Sequence, residues 1–175
     1  MHPAVERFDT RVEQSLAGIR SPALDQIFYP LSSAADHSLL WFAIGAARSI
    51  RRGNVRFAVR FAAAMGLESA LTNGAVKALF GRGRPAPDTP SGPLPYGMHR
   101  PITSSFPSGH ATAAFTAAAL LASDRHRGRW YLLAALVASS RVYVRMHHAS
   151  DVAGGAVLGL GLGWLLRRWV RAPGP

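Results

Sequence analysis

The chain has 175 residues, enough for one domain, and contains no cysteine, which excludes disulfides, thiolate metal sites and cysteine nucleophiles. Its formal net charge is +11, yet only 17% of the residues are charged while 49% are hydrophobic. Such a basic chain binds either nucleic acid or an anionic membrane surface, and the placement of the basic residues decides between them.

The first 20 residues predict an amphipathic helix. Its apolar residues recur at spacings of three and four: Val5, Phe8, Val12, Leu16 and Ile19. Such a helix either lies on a membrane surface or covers a helical bundle. Ser21 and Pro22 then begin a second segment, which Pro30 is expected to interrupt. Residues 1–30 are therefore treated as an N-terminal region in front of the remaining chain.

Five apolar segments follow: residues 31–50, 55–79, 107–123, 130–146 and 151–170. A helix needs about 20 mostly apolar residues to cross the hydrocarbon core of a membrane, and these segments approach or reach that length. The last is the clearest, because Val152 to Leu166 contains no charged residue. The sequence predicts a single all-α domain, a membrane bundle of about five transmembrane helices; a soluble helical bundle is the alternative.

The basic residues favour the membrane interpretation. Eleven of the 20 lie in the connections after the first, third and fifth segments, together with one acidic residue, Asp124. The connections on the other side carry both signs of charge. A nucleic-acid-binding protein has no reason to place arginines at every second connection. By the positive-inside rule the arginine-rich side is cytoplasmic, which predicts a multi-pass plasma-membrane protein with its N-terminus outside and its C-terminus in the cytosol.

Several polar residues lie within or between these segments. Glu68 is costly in lipid, so we expect it to face the bundle interior and make a structural hydrogen bond. Asp36 and His37 are expected to form a polar cap at the membrane surface. Residues 81–106 are predicted to form an extracytoplasmic loop, rich in proline and glycine, and a loop of this length is usually functional. In this loop Tyr96, Met98 and His99 either contact a substrate or pack the loop.

A polar cluster at the end of the fourth segment indicates chemistry on an anion. Arg141 lies six residues before His147, and Asp151 lies four residues after it. Because positions four apart share a helix face, we expect the Asp151 carboxylate to reach the His147 ring and fix its tautomer. The other ring nitrogen is then free to act as a nucleophile or general base. With the planar cation of Arg141 nearby, a phosphate is the simplest target.

A second cluster, Pro107-Ser108-Gly109-His110, opens the third segment. Serine and glycine before an alanine-rich helix present free backbone N–H groups, which form a natural anion site. His110, in the first helical turn, is placed to reach a bound anion.

With Lys77 and Arg84, these clusters form a pattern in three parts. The parts are Lys77-x6-Arg84-Pro85, Pro107-Ser108-Gly109-His110 and Ser140-Arg141-x5-His147-x3-Asp151. The pattern resembles the signature of the type 2 phosphatidic acid phosphatase (PAP2) superfamily, and every signature position matches. The resemblance implies a helical core of the kind shared with haloperoxidases, in which the three clusters meet on the extracytoplasmic side.

The resemblance also implies a role for each residue. His147 attacks phosphorus and forms a phosphohistidine, with Asp151 orienting the ring. The family spacing selects His147 rather than His148. His110 protonates the leaving oxygen and later activates water. The remaining residues bind the phosphate: Lys77, Arg84, Ser108, Gly109 and Arg141. No metal ion or other cofactor is implied.

A site at a membrane surface favours a lipid phosphate or diphosphate as substrate. A polyprenyl substrate, such as undecaprenyl diphosphate or a phosphorylated polyprenyl sugar of cell-envelope synthesis, ranks first. Phosphatidic acid and phosphatidylglycerol phosphate follow, and nothing in the sequence indicates an oligomeric state. Two alternatives stay open: a soluble acid phosphatase or vanadate haloperoxidase-like enzyme, and a membrane protein that binds lipid without turnover.

Overall fold

The computed structural model describes residues 2–86, 95, 98–122 and 127–172, and its regular secondary structure in these ranges is helical. Seven α-helices follow one another: α1 Pro3–Ile19, α2 Pro22–Ala34, α3 Leu39–Arg52, α4 Val55–Ser69, α5 Gly109–Leu121, α6 Arg127–Tyr143 and α7 Ala149–Arg171. A 3-10 turn, Asp36–Ser38, separates α2 from α3, and a π-helical segment, Ala70–Val76, continues α4. For the described residues, the prediction of an all-α fold is confirmed.

Helix α5 is the centre of the bundle. Ten of its 13 residues are buried, most of them alanine, so the helix has no polar face to present to solvent. Helices α4, α6 and α7 pack around it. Larger side chains from α3 and α4, including Trp41, Phe61 and Met65, fill the core beside it.

A stripe of glycines on α7 sets the close approach of α5 and α7. A Cβ atom added at Gly155 would lie 2.5 Å from the Ser108 carbonyl oxygen, and one at Gly163 would lie 2.5 Å from the Ala119 Cβ. A Cβ atom added at Gly159, between them, would overlap the Thr112 carbonyl oxygen. Because glycine has no side chain, the backbones of α5 and α7 can touch along this stripe, which we call the glycine seam. This contact places the N-terminus of α7 beside the N-terminus of α5.

The first apolar segment is not one helix, contrary to its prediction as a continuous span. Helix α2 continues through Pro30 to Ala34, and the chain then turns at Asp36–Ser38 before α3 begins. His37 and Ser38 both have positive φ angles, of 52° and 62°, which no α-helix accommodates. The apolar composition of residues 31–50 conceals this break, because periodicity alone does not reveal a single turn. The break places Asp36 in the turn between α2 and α3, at the end of the bundle where α5 begins.

One helix of the described chain, α7, is long and apolar enough to cross a membrane, and α5 is apolar but has only 13 residues. Helix α3, with 14 residues, spans about 21 Å. The number of five transmembrane helices therefore stays a prediction.

The predicted amphipathic helix is α1, and a charged residue anchors it. Asp9 is its one fully buried residue among those described, at 4% exposure. Its carboxylate accepts hydrogen bonds from the backbone N–H and the hydroxyl of Ser150, at 2.8 and 2.7 Å, and pairs with Arg82 at 2.6 Å. Phe8, which belongs to the predicted apolar stripe, is half exposed. Helix α1 is thus fixed to the start of α7 by polar contacts.

Arginines close the opposite end of the bundle. Arg48 of α3 donates to the Leu121 carbonyl oxygen at 2.7 Å, and Arg171 of α7 donates to that of Leu120 at 3.1 Å. These carbonyls end α5, where helix backbones leave their oxygens without intrahelical partners. The arginine-rich connections therefore lie at the end of the bundle away from the start of α5 and α7.

The glycine seam predicts a sharp difference between two neighbouring glycines of α7. Gly159→Ala forces a methyl group against the α5 backbone and should destabilise the fold by about 1–3 kcal/mol. Gly161→Ala, where nothing lies within 4 Å, should be neutral or slightly stabilising. Thermal unfolding in detergent measures both, and equal melting temperatures for the two variants would contradict the seam.

Candidate active site

The three polar clusters meet around one cavity. It lies at the end of the bundle where α5 and α7 begin, opposite the arginine-rich connections. Its volume is about 680 Å³. Six of the eight predicted site residues line it: Lys77, Arg84, Gly109, His110, Arg141 and His147. The other two, Ser108 and Asp151, are fully buried just behind its wall. Residues that are as many as 70 positions apart in sequence therefore share one site.

His147 lies in the tight connection between α6 and α7. Its backbone N–H donates to the Arg141 carbonyl oxygen at 3.1 Å, and its side chain is only 3% exposed. Nδ1 lies 2.7 Å from the carbonyl oxygen of Ser105, and Nε2 lies 3.3 Å from Nη1 of Arg84. A carbonyl oxygen only accepts, so Nδ1 carries the proton and Nε2 carries the lone pair. The ring presents an unprotonated nitrogen at the cavity wall.

Asp151 is not the group that holds the His147 ring most closely. Its Oδ2 lies 3.7 Å from Nδ1, beyond hydrogen-bond distance, and accepts instead from the backbone N–H of His148 at 2.9 Å. His147 precedes the first turn of α7, so the four-residue spacing does not place the two side chains on one helix face. Ser105, which the sequence analysis did not consider, supplies the acceptor. Asp151 also pairs with Arg82 and stabilises the start of α7.

Burial lowers the pKa of His147 to about 3, an effect that the neighbouring charges of Arg141 and Arg84 reinforce and the Asp151 contact opposes. The imidazole is therefore neutral at any ordinary pH of the site. A neutral ring is the form that can attack an electrophile, because protonation would occupy the lone pair.

Arg84 is held by the loop and by the connection that carries His147. Its guanidinium donates to the carbonyl oxygens of Pro101 at 3.0 Å, Met146 at 2.8 Å and Thr103 at 3.3 Å. Three backbone acceptors fix the plane of the group, so it costs little reorganisation when an anion binds. Burial lowers its pKa, but the group remains cationic.

Two further cations approach from helices. Arg141, at the end of α6, is 3% exposed and donates to the Ser32 hydroxyl of α2. Lys77, buried at 8% exposure, follows the π-helical segment that continues α4. Together with the half-buried Arg84, these two buried side chains place three positive charges around the cavity, an arrangement that suits a phosphate dianion.

The second histidine stands on the first turn of α5. Ser108 is the N-cap residue of this helix, and its side chain accepts from the backbone N–H of Ala111 at 3.4 Å. At Gly109 the π-helical segment comes close, because a Cβ there would lie 2.9 Å from the Asn73 side-chain oxygen. The capped helix start holds His110 at the cavity wall.

Asp36 lies against His110, although the sequence analysis predicted only a polar cap for it. Its Oδ1 lies 2.8 Å from Nε2 of His110 and 3.9 Å from the Arg141 guanidinium. Burial raises the pKa of Asp36, but the contact with His110 and the charge of Arg141 outweigh it and the net pKa is lowered. No motif spacing links residues 36 and 110, so only the fold reveals this pair.

The other residues that the sequence offered as possible substrate contacts lie in different places. His99 lines the cavity, whereas Met98 is buried against Tyr143 and Met146. Tyr96 lies outside the described residues. His148 points away from the cavity and lies 2.8 Å from Glu13 of α1. Over the described ranges, no group of three or more His, Asp or Glu side chains is arranged to hold a metal ion.

Comparisons with known proteins agree with the geometry. The family model of the PAP2 superfamily matches residues 57–174. A solved structure, described as that of the first transmembrane PAP2 type phosphatidylglycerolphosphate phosphatase from Bacillus subtilis, superposes with a TM-score of 0.75. It is 27% identical in sequence, and the match covers 95% of this chain and 86% of that one. No curated protein sequence matches. The family match and the cavity built from its signature residues show that this chain is a member of the PAP2 superfamily.

Proposed function

We propose that this chain is an integral membrane phosphatase that hydrolyses a lipid phosphate through a phosphohistidine on His147. The observation that carries the proposal is the state of the His147 ring. Nδ1 is committed to the Ser105 carbonyl, and the unprotonated Nε2 stands at the cavity beside Arg84. A fixed, neutral imidazole next to buried cations is suited to attack on a phosphate.

In the first step Nε2 of His147 attacks phosphorus. The N–P bond forms, the P–O bond to the lipid breaks, and His110 gives its proton to the leaving oxygen. Lys77, Arg84 and Arg141 neutralise the non-bridging oxygens, where negative charge is concentrated in the transition state.

In the second step a water molecule attacks the phosphohistidine. His110 accepts a proton from this water, the new O–P bond forms, and the P–N bond to His147 breaks. Inorganic phosphate leaves, and both histidines return to their starting states. The Asp36 carboxylate, 2.8 Å from His110, stabilises the imidazolium form that the first step needs.

The substrate class follows from the surroundings of the site. The cavity lies at the end of the bundle opposite the arginine-rich connections, and by the positive-inside rule this supports an extracytoplasmic active site. The B. subtilis protein with the similar structure is described as a phosphatidylglycerolphosphate phosphatase, which makes that lipid the first to test. Polyprenyl diphosphate and phosphatidic acid are the other candidates.

Two adjacent histidines give a direct test of the nucleophile. His147→Asn should lower phosphate release from phosphatidylglycerol phosphate in detergent by at least about a thousandfold, because the covalent step is lost. His148→Asn should stay within a few-fold of the parent, because that side chain contacts Glu13 and not the cavity. The activity should persist in EDTA.

The same assay separates the competing functions. Equal loss in both histidine variants would contradict the assignment of His147. Active protein extracted without detergent would favour a soluble phosphatase. A parent protein that binds the lipids, releases no phosphate and binds equally well as His147→Asn would favour a lipid-binding protein without turnover.

Asp36 gives a second test, based on the leaving group. Asp36→Asn should lower the rate on a lipid phosphate by about 10- to 100-fold, because His110 becomes a poorer proton donor to an alkoxide. The first-turnover release of p-nitrophenol from p-nitrophenyl phosphate should change much less, because that leaving group needs no protonation and the step precedes the attack of water. Pre-steady-state rates of the first turnover on both substrates measure the difference, and an equal loss on both would contradict a role of Asp36 in protonating the leaving group.

A further inference from the structure

Glu68 is a buried carboxyl group with an oxygen that no protein atom satisfies. The residue is 1% exposed, and its Oε1 accepts a hydrogen bond from the Thr72 hydroxyl at 3.0 Å. Its Oε2 is buried and has no hydrogen-bond partner among the described residues. A buried polar atom without a partner is costly, so proteins rarely retain one unless a ligand or water fills the gap. The mechanism described above does not use this residue.

Glu68 also lines the active-site cavity. Lys77 follows it by nine residues on the same helical segment, about 13 Å along the helix axis. Side chains lean toward the N-terminus of their helix, so Lys77 leans toward Glu68, and their charges interact. The carboxyl group therefore lies beyond the phosphate-binding cations, toward the interior of the bundle.

The proposed mechanism would direct the leaving group toward this interior side. In-line attack by His147 requires the leaving oxygen on the far side of phosphorus, where His110 has to stand to protonate it. Ala113, one turn after His110 on α5, lines the same cavity as Glu68. In the proposed mechanism the leaving alcohol would extend from His110 past Ala113 toward Glu68. A carboxylate there would repel a second phosphate bonded directly to the first, as in a diphosphate, but would accept a hydrogen bond from a neutral donor.

We propose that Glu68 accepts a hydrogen bond from a hydroxyl group of the leaving alcohol and so selects lipid phosphates that carry a hydroxyl next to the phosphate ester. The inference rests on the proposed phosphatase function. Phosphatidylglycerol phosphate belongs to this class, because its terminal glycerol has a free hydroxyl on the carbon next to the phosphorylated one. Phosphatidic acid and polyprenyl diphosphate have no hydroxyl at that position.

The test compares phosphatidylglycerol phosphate with its deoxy analogue, in which 1,3-propanediol replaces the terminal glycerol and the acyl chains are unchanged. The parent protein in detergent should show a kcat/KM about 10- to 100-fold higher for the hydroxyl-bearing lipid. Glu68→Ala should bring the ratio of the two values close to one. Glu68→Gln, which keeps an acceptor oxygen, should retain part of the preference. Glu6→Gln, an exposed carboxylate on α1, should leave the ratio unchanged.

A ratio within one variant cancels losses of folded protein, so partial misfolding of Glu68→Ala does not obscure the result. If that variant yields no folded protein, a ratio for Glu68→Gln equal to that of the parent overturns the inference. A parent ratio near one, or an unchanged ratio in Glu68→Ala, overturns it while phosphate release upholds the proposed phosphatase. No phosphate release from either lipid by the parent protein overturns both.

Discussion

The hydrogen bond between the His147 ring and the Ser105 carbonyl oxygen determines the chemistry of this site. It fixes the proton on Nδ1 and leaves the lone pair of Nε2 at the cavity, 3.3 Å from Arg84. A backbone acceptor performs this task without adding a negative charge beside the phosphate. Asp151, at 3.7 Å, contributes its charge and secures the start of α7 instead. The loop that carries Ser105 therefore orients the ring of the proposed nucleophile.

Close packing of α5 against α7 makes this arrangement possible. The glycine stripe lets the two helices touch, so that the N-cap of α5 and the connection before α7 lie side by side. The backbone N–H of Ser108 donates to the Asp151 carbonyl oxygen at 3.0 Å, which joins the two helix starts directly. Helix α1 strengthens the same corner through Asp9 and Arg82. Stability and catalytic geometry thus depend on the same contacts.

The fold class and most of the site residues could be predicted from the sequence, because the signature residues are close together within three short motifs. The resemblance of these motifs to the PAP2 signature predicted one shared site, and the lengths of the apolar segments predicted a bundle of helices. The contacts of Asp36 and Ser105 could not be predicted, because each depends on a turn or a backbone carbonyl brought in by tertiary packing. The helix break at Asp36–Ser38 was missed for a related reason: an apolar segment does not reveal a positive φ angle.

The position of the phosphoryl group on the enzyme tests the central claim most directly. His110→Ala, given p-nitrophenyl phosphate, should accumulate phosphoenzyme, because the leaving group needs no acid while the water lacks its base. Mass spectrometry and phosphorus NMR of the trapped protein identify the residue and the ring nitrogen. A phosphoryl group on Nε2 of His147 is the predicted result. Phosphorylation of Nδ1, or of any other residue, would contradict the account.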